Sequence, residues 1–154
     1  MSDGPKIKGN PLLVSVYLLV ICYVIGEFVI PKYSLLYPIN LIGIVGLIVS
    51  LVFFFSGFSI FKSFEENPVP TSASKRLIKT GIFAYTRNPI YLSFVIFHLS
   101  MFLVFENVMY LLTAIGQAIW IHNYIIKFEE EYLLGKFADD YQGYMSAVNR
   151  WLFF

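Results

Sequence analysis

Two short stretches of this 154-residue chain, residues 80–91 and 129–131, carry the side chains best suited to chemistry. Arg87, Asn88, Pro89 and Tyr91 stand where a polar segment passes into an apolar one. Proline is favoured in the first helical turn, where its missing N–H costs nothing, so Asn88 reads as the N-cap of the helix that follows. One reading of these residues is structural: a capped helix with an arginine reaching the interface. The other is a binding site, because Gly81, Tyr85 and an open helix N-terminus lie alongside and suit a carboxylate or phosphate. Glu129 and Glu130 close a later apolar run. A helix C-terminus disfavours carboxylates, so a cation should answer them, either a bound one or the Arg87 guanidinium. Glu131 reads as a solvated face. His122, two turns before Glu129, shares its helical face and reads equally as a polar residue at headgroup depth or as part of the site. No glycine-rich nucleotide-binding loop and no metal-ligand spacing is present, so helix ends and loops must grip any cofactor.

The elements that bring these stretches together are membranous. The chain is 58% hydrophobic, 19% aromatic and only 14% charged, whereas soluble domains are about 25% charged. Four apolar segments, 12–30, 39–61, 90–105 and 108–126, approach the ~20 residues that cross a bilayer. The third is short, which calls for local thinning of the bilayer or a start inside a protein-lined cavity. The first reads as a retained anchor, because no small-x-small cleavage site follows it. In a four-span arrangement every lysine and arginine except Lys32 falls on one side, including Lys6, Lys8, Lys62, Lys75, Arg76, Lys79, Lys127, Lys136 and Arg150. Both termini and the 64–86 loop are therefore expected in the cytoplasm. Glu106 and Asn107 leave room only for a tight hairpin between the last two segments, which returns the two polar clusters to the same side.

Around these spans, residues 1–10 read as polar and loose, and Pro68 and Pro70 as holding an extended linker over 65–74. Leu133, Phe137, Tyr141, Tyr144, Val148 and Trp151 recur three or four apart and so share one face of a C-terminal amphipathic helix. That helix is expected at the interface or folded over the bundle, Tyr144 and Trp151 at headgroup depth, with a break near Gly135 or Gly143. The expected fold is thus one all-α integral-membrane domain of four transmembrane helices with a cytoplasmic, interfacial C-terminal helix. Gly43, Gly46 and Gly57 read as close helix contacts. Glu27, near Pro31, reads as snorkelling outward, and His98 as either a cavity residue or an interhelical hydrogen bonder. Cys22, the single cysteine, excludes an intrachain disulfide. The net charge of +1 argues against nucleic acid as a partner.

With these motifs in place, the chain resembles the isoprenylcysteine carboxyl methyltransferase and phospholipid methyltransferase superfamily of integral-membrane, S-adenosylmethionine-dependent enzymes. The matching residues are Leu77, Ile78, Gly81, Phe83, Arg87, Asn88, Pro89 and Tyr91, followed by Glu129, Glu130, Leu133, Phe137, Tyr141, Tyr144, Val148, Arg150 and Trp151. The resemblance runs from about residue 68 to 151. It implies cofactor contacts from Leu77, Ile78, Gly81, Phe83, Asn88, Pro89, Tyr91 and Glu129, with Arg87 and Glu130 supporting them, so that the site combines regions 75–91 and 127–151. Ser93 and Ala138 stand where the family usually has glycine. Ile125 stands where prenylcysteine-type members carry an arginine, which points away from a prenylcysteine substrate.

The resemblance implies methyl transfer from S-adenosylmethionine to a lipid or small amphipathic acceptor entering sideways from the bilayer, with no metal. Arg87 and the N–H groups near Asn88 would hold the cofactor's carboxylate, and Glu129 its ammonium or ribose hydroxyls. No residue is assigned as a catalytic acid or base. Two other readings compete. One is a sterol-type membrane reductase using NADPH, whose C-terminal region is similar. The other is a small non-enzymatic transporter with Glu27 as its coupling carboxylate.

Overall fold

The computed structural model describes residues 4–7, 9–31 and 34–152. Lys8 and Lys32, both used in the orientation argument, lie outside them. Among the described residues every regular element is helical: α1 (Pro11–Phe28), α2 (Tyr37–Ser63), α3 (Pro89–Phe105), α4 (Val108–Ile121) and α5 (Lys127–Ala147). A 3₁₀ turn over Gly81–Ala84 precedes α3, and a π turn over His122–Ile126 joins α4 to α5.

The helix starts follow from local chemistry. Asn10 accepts a hydrogen bond from Leu12 N at 3.0 Å and places Pro11 in the first turn of α1. Asn107 caps α4 through Met109 N at 3.0 Å. Before it, Glu106 adopts φ 57°, which ends α3 within one residue and makes the expected tight α3–α4 hairpin. The Glu106 carboxylate then accepts from Leu35 N at 2.9 Å and Asn40 Nδ2 at 3.2 Å, pinning the α1–α2 connection to this hairpin. Glu27 is half-buried, one residue before the end of α1.

Helix α2 packs most extensively on α3. A Cβ on Gly43 would lie 2.8 Å from Leu103 Cβ, and one on Gly57 would lie 2.6 Å from Ile90, so these glycines set the interhelical approach. The outward faces of α1 and α2 are a continuous apolar surface that includes Val16, Val20, Ile42, Val45, Ile48 and Phe55, all more than two-fifths exposed. Both helices are long and apolar enough to cross a membrane. Surface of this kind is unfavourable in water and matches hydrocarbon.

The structure departs from the sequence expectation in three places. First, α5 does not begin as a separate helix. It continues α4 through the π turn, whose Lys127 N–H bonds to His122 O. The extra residue widens the helix and brings the neighbours Ile125 and Ile126 both into the core. Second, α5 breaks at Ala138 (φ 40°, ψ −116°) and not at Gly135 or Gly143. Third, the N-terminal segment packs. Ile7 joins Tyr91, Phe94, Ile121, Ile125, Ile126 and Trp151 in the core, because burying its side chain removes more apolar surface from water than a loose tail would. Trp151 thus sits in the core and not among headgroups, while the predicted face from Leu133 to Trp151 does turn inward.

Candidate active site

The site lies where α2 ends, α3 begins and α5 passes. It is assembled from two chain segments that zip together. Thr86 Oγ1 and Asn88 Nδ2 both donate to Arg150 O at 3.0 Å, and Arg87 N donates to Asn149 O at 3.0 Å. Asn88 occupies the N-cap position, but its side chain makes no cap bond. With its amide turned to Arg150, Asn88 leaves the Ile90 and Tyr91 N–H groups without a side-chain cap. Such groups, on the positive end of the helix dipole, favour an anion.

The charges follow the same logic. Glu130 is gripped by two arginines: Arg87 Nη2 donates to Oε1 at 2.7 Å, Arg150 Nε donates to Oε1 at 3.0 Å, and Arg150 Nη2 bonds to Oε2. Burial alone would raise the Glu130 pKa. Hydrogen bonds from Arg150 and Arg87 outweigh it and hold the carboxyl below the usual range, and the same contact raises Arg150. Arg87 Nη1 is spent on Met145 O and Val148 O. Its Nε is buried without a partner among the described residues. Both Nη groups that the sequence reading offered to a ligand are therefore engaged in fixing the C-terminal segment.

Glu129 is placed differently. No cation pairs with it among the described residues, and it is half-buried beside the cavity. Burial raises its pKa to about 8, with the neighbouring Glu130 carboxylate adding to the shift and the Tyr91 hydroxyl opposing it. Such a carboxylate lacks a positive partner, and a cationic ligand group would supply one.

These groups surround a cavity of about 120 Å³. Leu77, Ile78, Phe83, Arg87, Asn88, Pro89, Tyr91, Glu129 and Glu130 line it, as do Leu133, Tyr141 and Tyr144 from α5. Gly81 does not. Its φ of +62° forms the turn that lets Phe83 enter, and Tyr144 Oη donates to Phe83 O at 2.6 Å to hold that turn. Tyr85 points away and is largely exposed. His98 is buried elsewhere, its Nδ1 against Phe94 O at 2.9 Å. His122 lies outside the cavity but touches the cage, its Nε2 3.2 Å from Arg150 Nη1. Ser93 and Ile125 are buried in the bundle.

The sequence reading missed the loop that roofs the cavity. The 65–74 stretch does not run extended: Ser72 N bonds to Val69 O at 2.9 Å, and Ser74 N bonds to Tyr132 Oη at 3.2 Å. Glu66 is buried, accepts Lys75 N with both oxygens at 3.1 Å, and lines the cavity with Phe61, Pro68 and Arg76. One of two adjacent carboxylates in a proline-rich linker gives no signal of this. Only the folded-back loop creates its partner.

With this geometry established, comparison with known families gives a match. The model of the phospholipid methyltransferase family matches residues 39–140, and the chain belongs to that family of membrane methyltransferases. No curated protein matches the chain.

Proposed function

We propose that this member of the phospholipid methyltransferase family is an S-adenosylmethionine-dependent enzyme that methylates a lipid or small amphipathic acceptor. The observation that carries the reading is Glu129, a carboxylate with no cationic partner among the described residues, which lines one cavity together with Asn88, Ile90 and Tyr91 of the uncapped first turn of α3. That donor set is complementary to an amino-acid end carrying both an ammonium and a carboxylate, as this cofactor does. The apolar lining of Leu77, Ile78, Phe83 and Leu133 suits its nucleoside. Small-molecule sites are typically ~300–1,000 Å³, so the cavity of about 120 Å³ must widen for the cofactor: the 65–80 loop opens to admit it and packs back over it.

When bound, S-adenosylmethionine supplies an electrophilic methyl group on a sulfonium sulfur. The chain's own residues bind, orient and exclude water. Glu129 holds the ammonium, and the mouth of α3 holds the carboxylate. The Arg87–Glu130–Arg150 cage fixes the C-terminal segment against the cavity, and the roofing loop keeps solvent out. Such placement can supply ~7–11 kcal/mol of a transfer barrier without any acid or base.

In the membrane, we assign one domain over residues 1–154 and four crossings, at about 12–30, 39–61, 90–105 and 108–126. α3, of 17 residues, is roughly 25 Å long and crosses with local thinning. The fourth crossing is completed by the π turn. In this reading the one-sided excess of Lys and Arg supports a cytoplasmic side for both termini and the cavity. Calorimetric titration of detergent-purified protein with S-adenosylmethionine and S-adenosylhomocysteine, with NADPH as competing ligand, tests the reading. Micromolar binding of the first pair, lost in Glu129→Gln, is expected. Binding of NADPH in their place would move the chain to the reductases.

A further inference from the structure

Residues 4–7 read in sequence as part of a loose tail, yet they are fitted against the loop that roofs the cavity. Gly4 meets that loop backbone to backbone. A Cβ there would lie 2.1 Å from Thr71 O and 2.8 Å from Ser72 C, so only glycine lets the two segments touch. Pro5 is buried and lines a second, small space of about 40 Å³ with Pro68, Val69 and Pro70 of the roof and with Glu129 of α5. Phe61, Pro68, Ser74, Glu129 and Leu133 border both this space and the cavity of about 120 Å³, so Pro5 stands on the far side of the same wall.

Ile7 is the anchor. Its N–H donates to Pro5 O at 2.9 Å, a three-residue turn that leaves Lys6 in solvent at the apex and sends Ile7 inward. Ile7 is 9% exposed and belongs to the core cluster that includes Tyr91, whose hydroxyl meets the Glu129 carboxyl. Four residues thus join the roof, the wall and the core. Hiding one apolar side chain accounts for Ile7 but for neither Gly4 nor Pro5. Proline brings no N–H, so it fills its place in the wall without giving Glu129 a partner.

We propose that residues 4–7 are a strap that latches the roofing loop shut, with Ile7 its anchor and Gly4 its contact, and that these two are positioning residues for the methyl transfer. Residues 69–72 cannot lift without parting Thr71 from Gly4 and opening the space that Pro5 closes. The strap therefore sets how long a bound cofactor is held and how well water is kept from it. The link to the cofactor rests on the methyltransferase reading above, and the latch itself does not.

Hydrogen–deuterium exchange on the detergent-purified chain reads the latch directly, because the Ser74 amide bonds to Tyr132 Oη of α5 only while the loop is down. Gly4→Ala sets a methyl group against Thr71 O, and Ile7→Ser withdraws the anchor. In the ligand-free protein each should raise exchange over residues 69–75 about tenfold, while the α3–α4 hairpin exchanges as in the wild type. Release of radiolabelled S-adenosylhomocysteine into excess unlabelled ligand should quicken by a similar factor, with the Tm of Gly4→Ala unchanged. Wild-type exchange over residues 69–75 in Gly4→Ala overturns the latch, and this variant decides the matter even where Ile7→Ser fails to fold. Faster exchange with unaltered ligand release overturns the positioning role. If the wild-type chain binds no S-adenosylhomocysteine, the positioning role falls with the methyltransferase reading, and exchange alone judges the latch.

Discussion

The ionisation of Glu129 gives the sharpest test of how the cavity works. Its pKa stands at about 8 because burial removes water from the carboxylate, the Glu130 charge adds to this, and the Tyr91 hydroxyl only partly compensates. At pH 7 the empty cavity therefore holds Glu129 ionised in roughly one molecule in ten, and at pH 6 in roughly one in a hundred. A ligand ammonium selects the ionised form, so binding must release that proton. Affinity should accordingly rise about tenfold from pH 6 to pH 7 and level off above pH 8, with nearly one proton released per ligand in the lower range. Calorimetric titration with S-adenosylhomocysteine in two buffers of different protonation enthalpy measures both quantities. The ligand's own amine, that of a free amino acid, titrates above the ~8 of a peptide α-amino group, and Glu129→Gln serves as the reference for it. That variant should lose the pH dependence below pH 7.5 and bind ~10–100-fold more weakly at pH 8, the scale of a charge-assisted hydrogen bond. A wild-type affinity flat from pH 6 to pH 8, or an identical slope in the glutamine variant, would refute the assignment of Glu129 to the ammonium.

Other outcomes follow from the same structure. The raised Glu129 carboxyl lies above its ordinary value in the unfolded chain, so the ligand-free protein should be stabilised by it below about pH 4.5 and lose that stability as pH rises through about 8. Thermal unfolding with and without Glu129→Gln resolves this, and a parallel pH profile for both proteins would count against it. Glu130→Gln strands Arg87 and Arg150 without a carboxylate and should cost ~3–5 kcal/mol, visible as a large drop in Tm. A change within experimental noise would mean that the cage is not formed. Ala138→Gly should stabilise by about 1 kcal/mol, because φ 40° with ψ −116° is a conformation in which glycine alone avoids strain. A lower Tm would contradict that backbone. Finally, Lys75, Arg76 and Lys79 sit in the roofing loop, so tryptic cleavage there should slow when S-adenosylhomocysteine is bound, and equal rates would exclude closure of the loop over the ligand.

Sequence alone determined the elements and the pairing of the two polar clusters. Apolar run length, the proline after Asn88 and the two-residue link at Glu106–Asn107 are local signals, and local physics reads them without knowledge of the fold. The inward face from Leu133 to Trp151 was legible for the same reason, since helical period depends on neighbours three or four residues away. Tertiary structure decided which charges are spent and which are free. Arg87 and Asn88 look available in sequence. Their donors go to Val148, Glu130 and Arg150, partners some 40 to 60 residues distant that only folding brings within hydrogen-bond range. Glu129 and Glu130 are adjacent and identical in type, yet one is caged by two arginines and the other faces a cavity. That divergence arises from the π turn and from the packing of the C-terminal segment, neither of which has a local signature. The roof over the cavity, from Glu66 to Arg76, and the coupling of His122 to Arg150 belong to the same class. Each depends on where a distant backbone lies, and a linear pattern of residue types does not encode that position.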